Sequence, residues 1–440
     1  MSQNRAKKTS LPAGTSGDAA NSLAFQLYRP KAGHPDWDGC FTEALELVAR
    51  IAPAITKDKD LTAADKLKNL RRKARALRKN VENYRINRAR YRRGDHGLRP
   101  LYVIWTMLNA CNFRCSYCDN HQGRHYFDIP DPGRLDTAQG KKLLEVMYTG
   151  TPAIYWCGGE PTLRNDLPEL LDQAFNLGYF PNMINTNGSL LHQLLRKPEW
   201  KNFLYQMDMV IISMDGLELS GLNKLWGVNN SRQVMVNLLL LRELRRQVKF
   251  KLAVNTVITP ETIDEAEAVL NLACDLDVWF APVPVNYKHQ PNSQLLNNRK
   301  YLRLAELILT RKAEGYKIIG SASLLKRLLY SEPYQCLTAL KPHVWSDGSI
   351  CWPCRASINV KPENINLLDY DSFDEAYEAG RKLINPNSFH GPAANQCGGQ
   401  CSWMQNYTTA RYLDGLTNPI GSSRQASSGI CWRQRQDGLG

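Results

Sequence analysis

The sequence predicts an α/β fold: a partial (β/α)6, TIM-like barrel of parallel strands, with a helical N-terminal extension and a small cysteine-rich C-terminal extension. Three observations predict it. Strand-like apolar runs alternate with helix-like amphipathic segments six times between residues 101 and 320, the pattern of strand–helix units around a parallel sheet. The runs are almost continuously apolar, as strands covered on both faces are. The residues with chemical character follow directly after the runs, at what would be the C-terminal rim of such a barrel.

Taken in order, LYVIWTML (101–108) precedes an amphipathic stretch at 137–148. AIYWC (153–157) precedes 166–177, which has Asn165-Asp166 at its start and Gly178 at its end, a cap and a stop. NMINT (182–186) precedes 189–196, and MVIISM (209–214) precedes 230–245. FKLAVNTVI (250–258) precedes 260–275, and DVWFAPVPV (277–285) precedes 298–313. Six units predict an open partial barrel rather than a closed ring of eight. With 440 residues and 43% hydrophobic content the chain can bury more than one core. The expected division is a disordered tail at 1–22, a helical basic region at 23–100, the barrel at 101–320 and a cysteine-rich domain at 321–440.

No apolar run approaches the roughly 20 residues that span a bilayer, and residues 1–22 lack the apolar stretch of a secretory signal. Twelve cysteines in that context point to reduced thiols and metal ligation in a cytoplasm rather than to disulfides.

The net charge of +14 is concentrated. Between Lys66 and Arg93 stand thirteen Lys and Arg against one acid, Glu82; the remainder has 43 basic residues against 41 acidic. The same segment carries Leu67, Leu70, Ala74, Leu77, Val81, Tyr84 and Tyr91 at helical spacing, with Thr62 and Asp65 as a capping start. One reading is a basic amphipathic helix on an anionic membrane surface, peripheral to the inner face of the membrane. Another packs the leucine stripe on the barrel and leaves a solvated basic face. Nucleic acid, which needs the same charge, ranks behind both. FTEALELVARIA (41–52) is a further short amphipathic helix, with packing as its role.

Directly behind the first strand, Cys111, Cys115 and Cys118 stand as C-x3-C-x2-C in CNFRCSYC. Three thiolates on one loop can hold three irons of a four-iron, four-sulfur cluster and leave the fourth iron open to a ligand, whereas clusters are ordinarily held by four cysteines. The competing reading is zinc on three cysteines and a histidine, since His121 and His125 follow; otherwise those histidines are structural or surface residues. Cys40, Cys157 and Cys274 stand apart and read as packed small hydrophobes.

Forty residues on, the second strand runs into Gly158-Gly159-Glu160-Pro161. Glycines at a strand end admit a ligand close to the backbone, and Glu160 can accept from an ammonium group. At this point the chain resembles the radical S-adenosylmethionine (radical SAM) enzymes. CNFRCSYC is similar to their cluster loop, including the aromatic Tyr117 before the last cysteine, and GGEP to their motif for the methionine amino group. Thr186-Asn187-Gly188, and Ile212-Ser213-Met214-Asp215-Gly216, resemble the family's third and fourth strand ends.

The C-terminal hundred residues hold a second cysteine set: Cys336, then Cys351 and Cys354 in HVWSDGSICWPC, then Cys397 and Cys401 in QCGGQC, and lastly Cys431. Asp347-Gly348 signals a tight hairpin. The order of a lone cysteine, a DG hairpin, a cysteine, a helix over INLLDYDSFDEAYEAGRKL and a paired cysteine resembles the SPASM and twitch auxiliary-cluster extensions. The full SPASM pattern has further cysteines between Cys354 and Cys397; this chain has none there. The resemblance therefore implies one auxiliary 4Fe–4S cluster, with ligands drawn from Cys336, Cys351, Cys354, Cys397 and Cys401. Zinc is the competitor. Trp345, Trp352 and Trp403 stand near this set and would shield it from water.

What the resemblance implies is a reaction. Cys111, Cys115 and Cys118 hold a 4Fe–4S cluster; Gly158, Gly159 and Glu160 hold the methionine end of S-adenosylmethionine; Asn187, Ser213, Asp215 and Tyr117 stand as further cofactor contacts. A flavodoxin- or ferredoxin-like one-electron reductant is the implied partner. No catalytic side chain beyond these is named by the sequence. The substrate is expected to be a lipid or isoprenoid, on the strength of the basic helix, ahead of a peptide or protein side chain, with nucleic acid last. A non-catalytic iron–sulfur carrier or sensor is the alternative of another class, and GGEP argues against it.

Overall fold

Six parallel strands lie side by side in chain order: β1 (Val103–Thr106), β2 (Ile154–Cys157), β3 (Asn182–Thr186), β4 (Met209–Ser213), β5 (Lys251–Ile258) and β6 (Trp279–Pro284). The computed structural model describes residues 37–95, 97–118, 131, 133–285, 291–332, 338–350, 365–383 and 412. The helices are α1 (Trp37–Ile51), α2 (Ala63–Arg92), α3 (Thr137–Gly150), α4 (Leu167–Leu177), the short α5 (Leu191–Leu194) and α6 (Phe203–Gln206), α7 (Leu219–Trp226), α8 (Ser231–Leu244), α9 (Ile263–Asp275), the short α10 (Ser293–Leu296), α11 (Arg299–Ala313), α12 (Ala322–Leu329) and α13 (Phe373–Leu383). The six expected strand–helix units are all present. β6 does not close onto β1, so the sheet is open, as six units require.

What covers the β1 edge was not legible in advance. β7 (His343–Val344) pairs parallel to β1, and β8 (Ser349–Ile350) and β9 (Ile365–Asn366) follow it antiparallel. The expected DG turn joins β7 to β8, with Gly348 at φ +84°. The C-terminal extension thus continues the barrel's own sheet. One expectation fails here: 365–383 is not one helix. Ile365 and Asn366 are strand, a 3-10 turn spans Leu367–Asp369, and α13 starts only at Phe373.

Side chains cap some helices and not others: Asp166, the expected cap of α4, makes no capping bond and pairs with Arg164 instead. The Asp136 carboxylate accepts from the Gln139 amide at the start of α3, and Gly178 takes the left-handed conformation after α4. In β2 and β3 alternate residues are fully buried (Ile154 and Trp156; Asn182, Ile184 and Thr186) and the others half-buried, whereas β1 is buried at all four positions.

α2 begins with the expected Thr62–Asp65 capping box and runs 30 residues. Its packing inverts the packing expectation over the leucines, whereas Tyr84 and Tyr91 of the same stripe do pack inward, against Leu98 and Leu340. The face against the barrel is polar: Arg72, Ala76, Asn83 and Asn87 are buried, while Leu67, Leu70, Leu77 and Val81 are 44%, 64%, 64% and 44% exposed. Arg72 makes a bidentate pair with Asp208 at 2.9 and 3.0 Å, also donates to the Tyr179 carbonyl, and stacks on the Phe175 ring. Asn83 donates to the Gly150 carbonyl at 2.8 Å, and Asn87 exchanges hydrogen bonds with the Arg99 backbone. No helix among the described residues is long and apolar enough to cross a membrane.

Candidate functional site

The loop after β1 is fixed by main-chain bonds to the loop after β2. The Gly159 and Glu160 amides donate to the carbonyls of Leu108 and Ala110, both at 2.9 Å. A Cβ on Gly159 would sit 2.0 Å from the Ala110 oxygen, and one on Gly158 2.6 Å from the Leu108 oxygen. Gly158 is also at φ +149°. The sequence reading had a ligand approach these glycines; what approaches them closely is the backbone that carries the cysteines.

The far end of the loop leans on α7. Arg114 and Ser116 amides donate to the carbonyls of Trp226 and Leu225 at 2.8 and 3.1 Å, and the Phe113 and Trp226 rings pack at 5.4 Å. Between these anchors Asn112 donates to Ser189 Oγ at 2.9 Å and accepts from Asn187 Nδ2 at 2.7 Å. Behind the loop, Asp131 accepts from the Asn109 amide and side chain and from Ser346 Oγ of the β7–β8 turn. Cys111, Cys115 and Cys118 therefore stand on a loop tied at both ends and in its middle. All three are half-buried.

Burial pushes the Cys111 thiol up to about 12, with the Glu160 charge adding to it, and raises Cys115 further; there Asp215 and Cys118 add to burial. Such thiols stay protonated until positive charge is supplied, as metal does when it displaces thiol protons. Among the described residues no three His, Cys, Asp or Glu side chains converge on one point as ligands of a single ion. In a cubane cluster each thiolate would take its own iron. His121 and His125 lie outside the described residues.

Glu160 is the centre of the second half of the site. It is buried, and its Oε1 accepts from the Thr162 amide (3.0 Å), Thr162 Oγ1 (2.6 Å) and Thr186 Oγ1 (2.6 Å), while Oε2 accepts from the Asn187 amide at 2.7 Å. All four donors are neutral, and no ion pair to Glu160 occurs among the described residues. Burial raises its pKa although these bonds oppose the rise. Oε2, with one partner, keeps room for a cation.

Two expected cofactor contacts are engaged by the protein itself. Asp215 is buried; Tyr117 and Trp226 donate to its Oδ2, the latter at 2.7 Å, and the Val257 amide to its Oδ1 at 2.8 Å. Asn187 uses its amide nitrogen on Asn112 and its oxygen on the Ser189 amide. Ser213 ends β4 half-buried, beside Asn255 of β5. Cys40 is the packed thiol expected; Cys157 and Cys274 are only half-buried. Cys336, Cys351, Cys354, Cys397, Cys401 and Cys431, with Trp352 and Trp403, lie outside the described residues. Sequence reasoning missed Asn112, Thr162 and Trp226. The signals were present: an Asn inside the cysteine loop, a hydroxyl two residues after Glu160, and a Trp closing a helix at Gly227.

Fold and site together define an open parallel-strand barrel that presents three cysteines and a buried carboxylate at its rim. Residues 105–273 match the family model described as the Radical SAM superfamily, whose enzymes use a 4Fe–4S cluster and S-adenosylmethionine; that segment of the chain is similar to it. The chain is similar to an S-adenosylmethionine-dependent nucleotide dehydratase of Selenomonas ruminantium (30% identity, 39% of this chain and 62% of that one). It is also similar to a PqqA peptide cyclase of Bradyrhizobium diazoefficiens (27% identity, 40% and 44%). It thus spans about half the length of these curated relatives. Its fold matches a solved structure of histidine-tagged anSMEcpe with bound AdoMet at TM-score 0.50 and 17% identity, over 72% of this chain and 99% of that one.

Proposed function

We propose that the chain is a radical SAM enzyme acting on an organic substrate at the C-terminal rim of its barrel. The observation that carries the proposal is Glu160: a buried carboxylate, held by four neutral donors, hydrogen-bonded through its own backbone to the loop of Cys111, Cys115 and Cys118. Those three thiols would hold the 4Fe–4S cluster, and Glu160 Oε2 would take the ammonium of S-adenosylmethionine, the positive charge its burial lacks. When bound, cluster and S-adenosylmethionine would supply, on one-electron reduction, a 5′-deoxyadenosyl radical able to abstract hydrogen from an unactivated carbon or to add to an unsaturated one. The protein's part is positional. Asp215 and Trp226 fix the Tyr117 end of the loop, Asn187 and Asn112 fix its middle, and the glycines let β2 and the loop meet.

A one-electron reductant of flavodoxin or ferredoxin type completes the reaction. The second cysteine set, Cys336, Cys351, Cys354, Cys397 and Cys401, is assigned to one auxiliary 4Fe–4S cluster on the sequence pattern. The test is anaerobic reconstitution, addition of S-adenosylmethionine and dithionite, and detection of 5′-deoxyadenosine. Product from the wild type and none from Cys115→Ala supports the reading. No product from protein with full iron content, in the presence of extracts supplying substrate, returns the chain to the class of iron–sulfur carriers.

The finer reading, a lipid or isoprenoid substrate, rests on α2. That helix does expose leucines among basic residues, which supports contact with apolar matter. Its stripe is narrow, however, and no longer ranks a lipid ahead of a peptide or protein side chain. Co-sedimentation of the full chain with phosphatidylglycerol vesicles checks it: no more binding than to neutral vesicles removes the lipid reading.

A further inference from the structure

The stripe on α2 is left over by everything above. Leu67, Leu70, Ala74, Leu77 and Val81 follow one another at spacings of three and four, and all five are exposed. At 3.6 residues per turn they fall within about 80° of one another, roughly 150° from the face of Arg72, Ala76, Asn83 and Asn87. Up to Val81 the helix is anchored by polar bonds on one side and offers its apolar residues on the other, the reverse of an ordinary surface helix; beyond it Tyr84 and Tyr91 pack inward against Leu98 and Leu340. An anchor this elaborate, with a bidentate buried Arg72–Asp208 pair and two asparagines on main-chain groups, fixes which side faces out.

The geometry of the stripe selects its occupant. The spacing is that of heptad positions a and d, a seam one residue or two wide; this is the width of a helix–helix contact, whereas a helix lying in a bilayer surface has a broad apolar face. From Leu67 to Val81 it runs about 21 Å. Along one edge, at intervals of seven, stand Arg71, Arg78 and Arg85. All three are exposed, and none has an ion-pair partner among the described residues. Flanking positions with one sign of charge choose partners of the other sign and oppose pairing with a second copy of themselves.

We propose that α2 is a docking helix for an acidic amphipathic helix of a partner protein, which lays leucine-like residues at a and d along Leu67, Leu70, Ala74, Leu77 and Val81 and sets carboxylates against Arg71, Arg78 and Arg85. This does not depend on the chemistry assigned to the barrel.

The probe is a synthetic helix of four heptads, with Leu at a and d and Glu at e and g, labelled and titrated with the full chain by fluorescence anisotropy. The wild type binds it, binding weakens with added salt, and Leu70→Asp/Leu77→Asp weakens it roughly tenfold or more. Arg71→Glu/Arg78→Glu/Arg85→Glu, which leaves the stripe intact, loses the Glu probe and gains a probe with Lys at e and g. Circular dichroism and unchanged iron loading show that each variant is folded; should the aspartate pair not fold, the charge exchange decides alone. No binding of the Glu probe by the wild type, or equal binding of both probes, overturns the proposal. So does stripe-dependent sedimentation with phosphatidylglycerol vesicles in place of probe binding, which assigns the face to a membrane. A dimer by sedimentation velocity that Leu70→Asp/Leu77→Asp dissolves, without probe binding, assigns it to a second copy and overturns the proposal equally.

Discussion

The Tyr117 hydroxyl donates to Oδ2 of Asp215, tying the residue just before the last cysteine of the loop to the end of β4. Burial, then the Asp215 charge, holds the Tyr117 phenol well above its ordinary pKa, so it remains a donor. The same carboxylate takes Trp226 and the Val257 amide. One side chain thus joins the cysteine loop, α7 and β5. Asp215→Ala leaves three buried donors without an acceptor and should cost about 2–4 kcal/mol. Tyr117→Phe removes one bond and should cost about 1 kcal/mol. Thermal melts of the apo-protein check the order. If this loop holds the iron, as proposed, iron retained per chain should fall in the same order.

Gly159 tests whether the glycines serve the backbone. Its Cβ would meet main chain, the Ala110 oxygen at 2.0 Å, which cannot swing aside. Gly159→Ala should therefore destabilise by about 3 kcal/mol or separate the cysteine loop from β2. Gly315→Ala is the control: it has φ +94° but nothing within 4 Å of the added carbon, so only the left-handed backbone, about 1–2 kcal/mol, is charged to it. Denaturant unfolding of both variants gives the comparison. Equal losses would show that the close approach at Gly159 has no consequence.

Glu160 gives a pH dependence with a definite sign. Burial raises its pKa above the usual carboxylate range. In the free protein its ionisation is therefore disfavoured, and folding stability from this group declines as pH rises from the unfolded carboxylate's pKa through the raised one. An ammonium ligand prefers the ionised form. Below the raised pKa, binding must eject a proton, and affinity for S-adenosylmethionine should drop by up to about tenfold per pH unit. On the alkaline side affinity falls again as the ligand's α-amino group loses its charge near pH 8. Isothermal titration of cluster-loaded protein in buffers of different ionisation enthalpy should show proton release at low pH. Glu160→Gln should bind weakly and without the acid limb. An acid limb that persists in the glutamine variant would give the titration to another group.

The motifs and the alternation of strand and helix were legible because each depends on near neighbours in sequence. CNFRCSYC, GGEP and the six apolar runs state their chemistry within ten residues. The supports of the site were less so. Asp215 reads as a cofactor contact until Trp226 and Val257, one on the following helix and one on the next strand, are seen to occupy it. Gly158 and Gly159 read as room for a ligand until the Leu108 and Ala110 carbonyls are placed beside them. The β1 edge was unreadable for a related reason: β7 pairs with a strand some 240 residues earlier, and two-residue strands have no period. α2 misled most. By pattern alone its leucine stripe defines either a membrane face or the inner face, and the second is ruled out because Arg72 finds Asp208 and Phe175 on the barrel, a match that no pattern within the helix records.

Arg72 also carries the last prediction. It is 2% exposed and donates to both oxygens of Asp208 and to the Tyr179 carbonyl. Asp208 in turn accepts from the Asn182 amide at the start of β3, so the pair joins α2 to the sheet. Removing the cation leaves a carboxylate without its main partner in a half-dry site, and Arg72→Ala should cost about 3–5 kcal/mol. Lys73, 3.8 Å from the same carboxylate, offsets part of this. Arg72→Lys keeps a charge but loses the fork and the stacking on Phe175, so it should recover less than half. The consequence reaches the outer face. With the anchor gone, amide exchange along α2 should accelerate while β1 to β4 stay protected, and binding of the Glu-flanked probe helix should weaken even though every leucine of the stripe is intact. If exchange rises equally in α2 and in the strands, Arg72 supports the whole barrel and is no separate anchor for the helix.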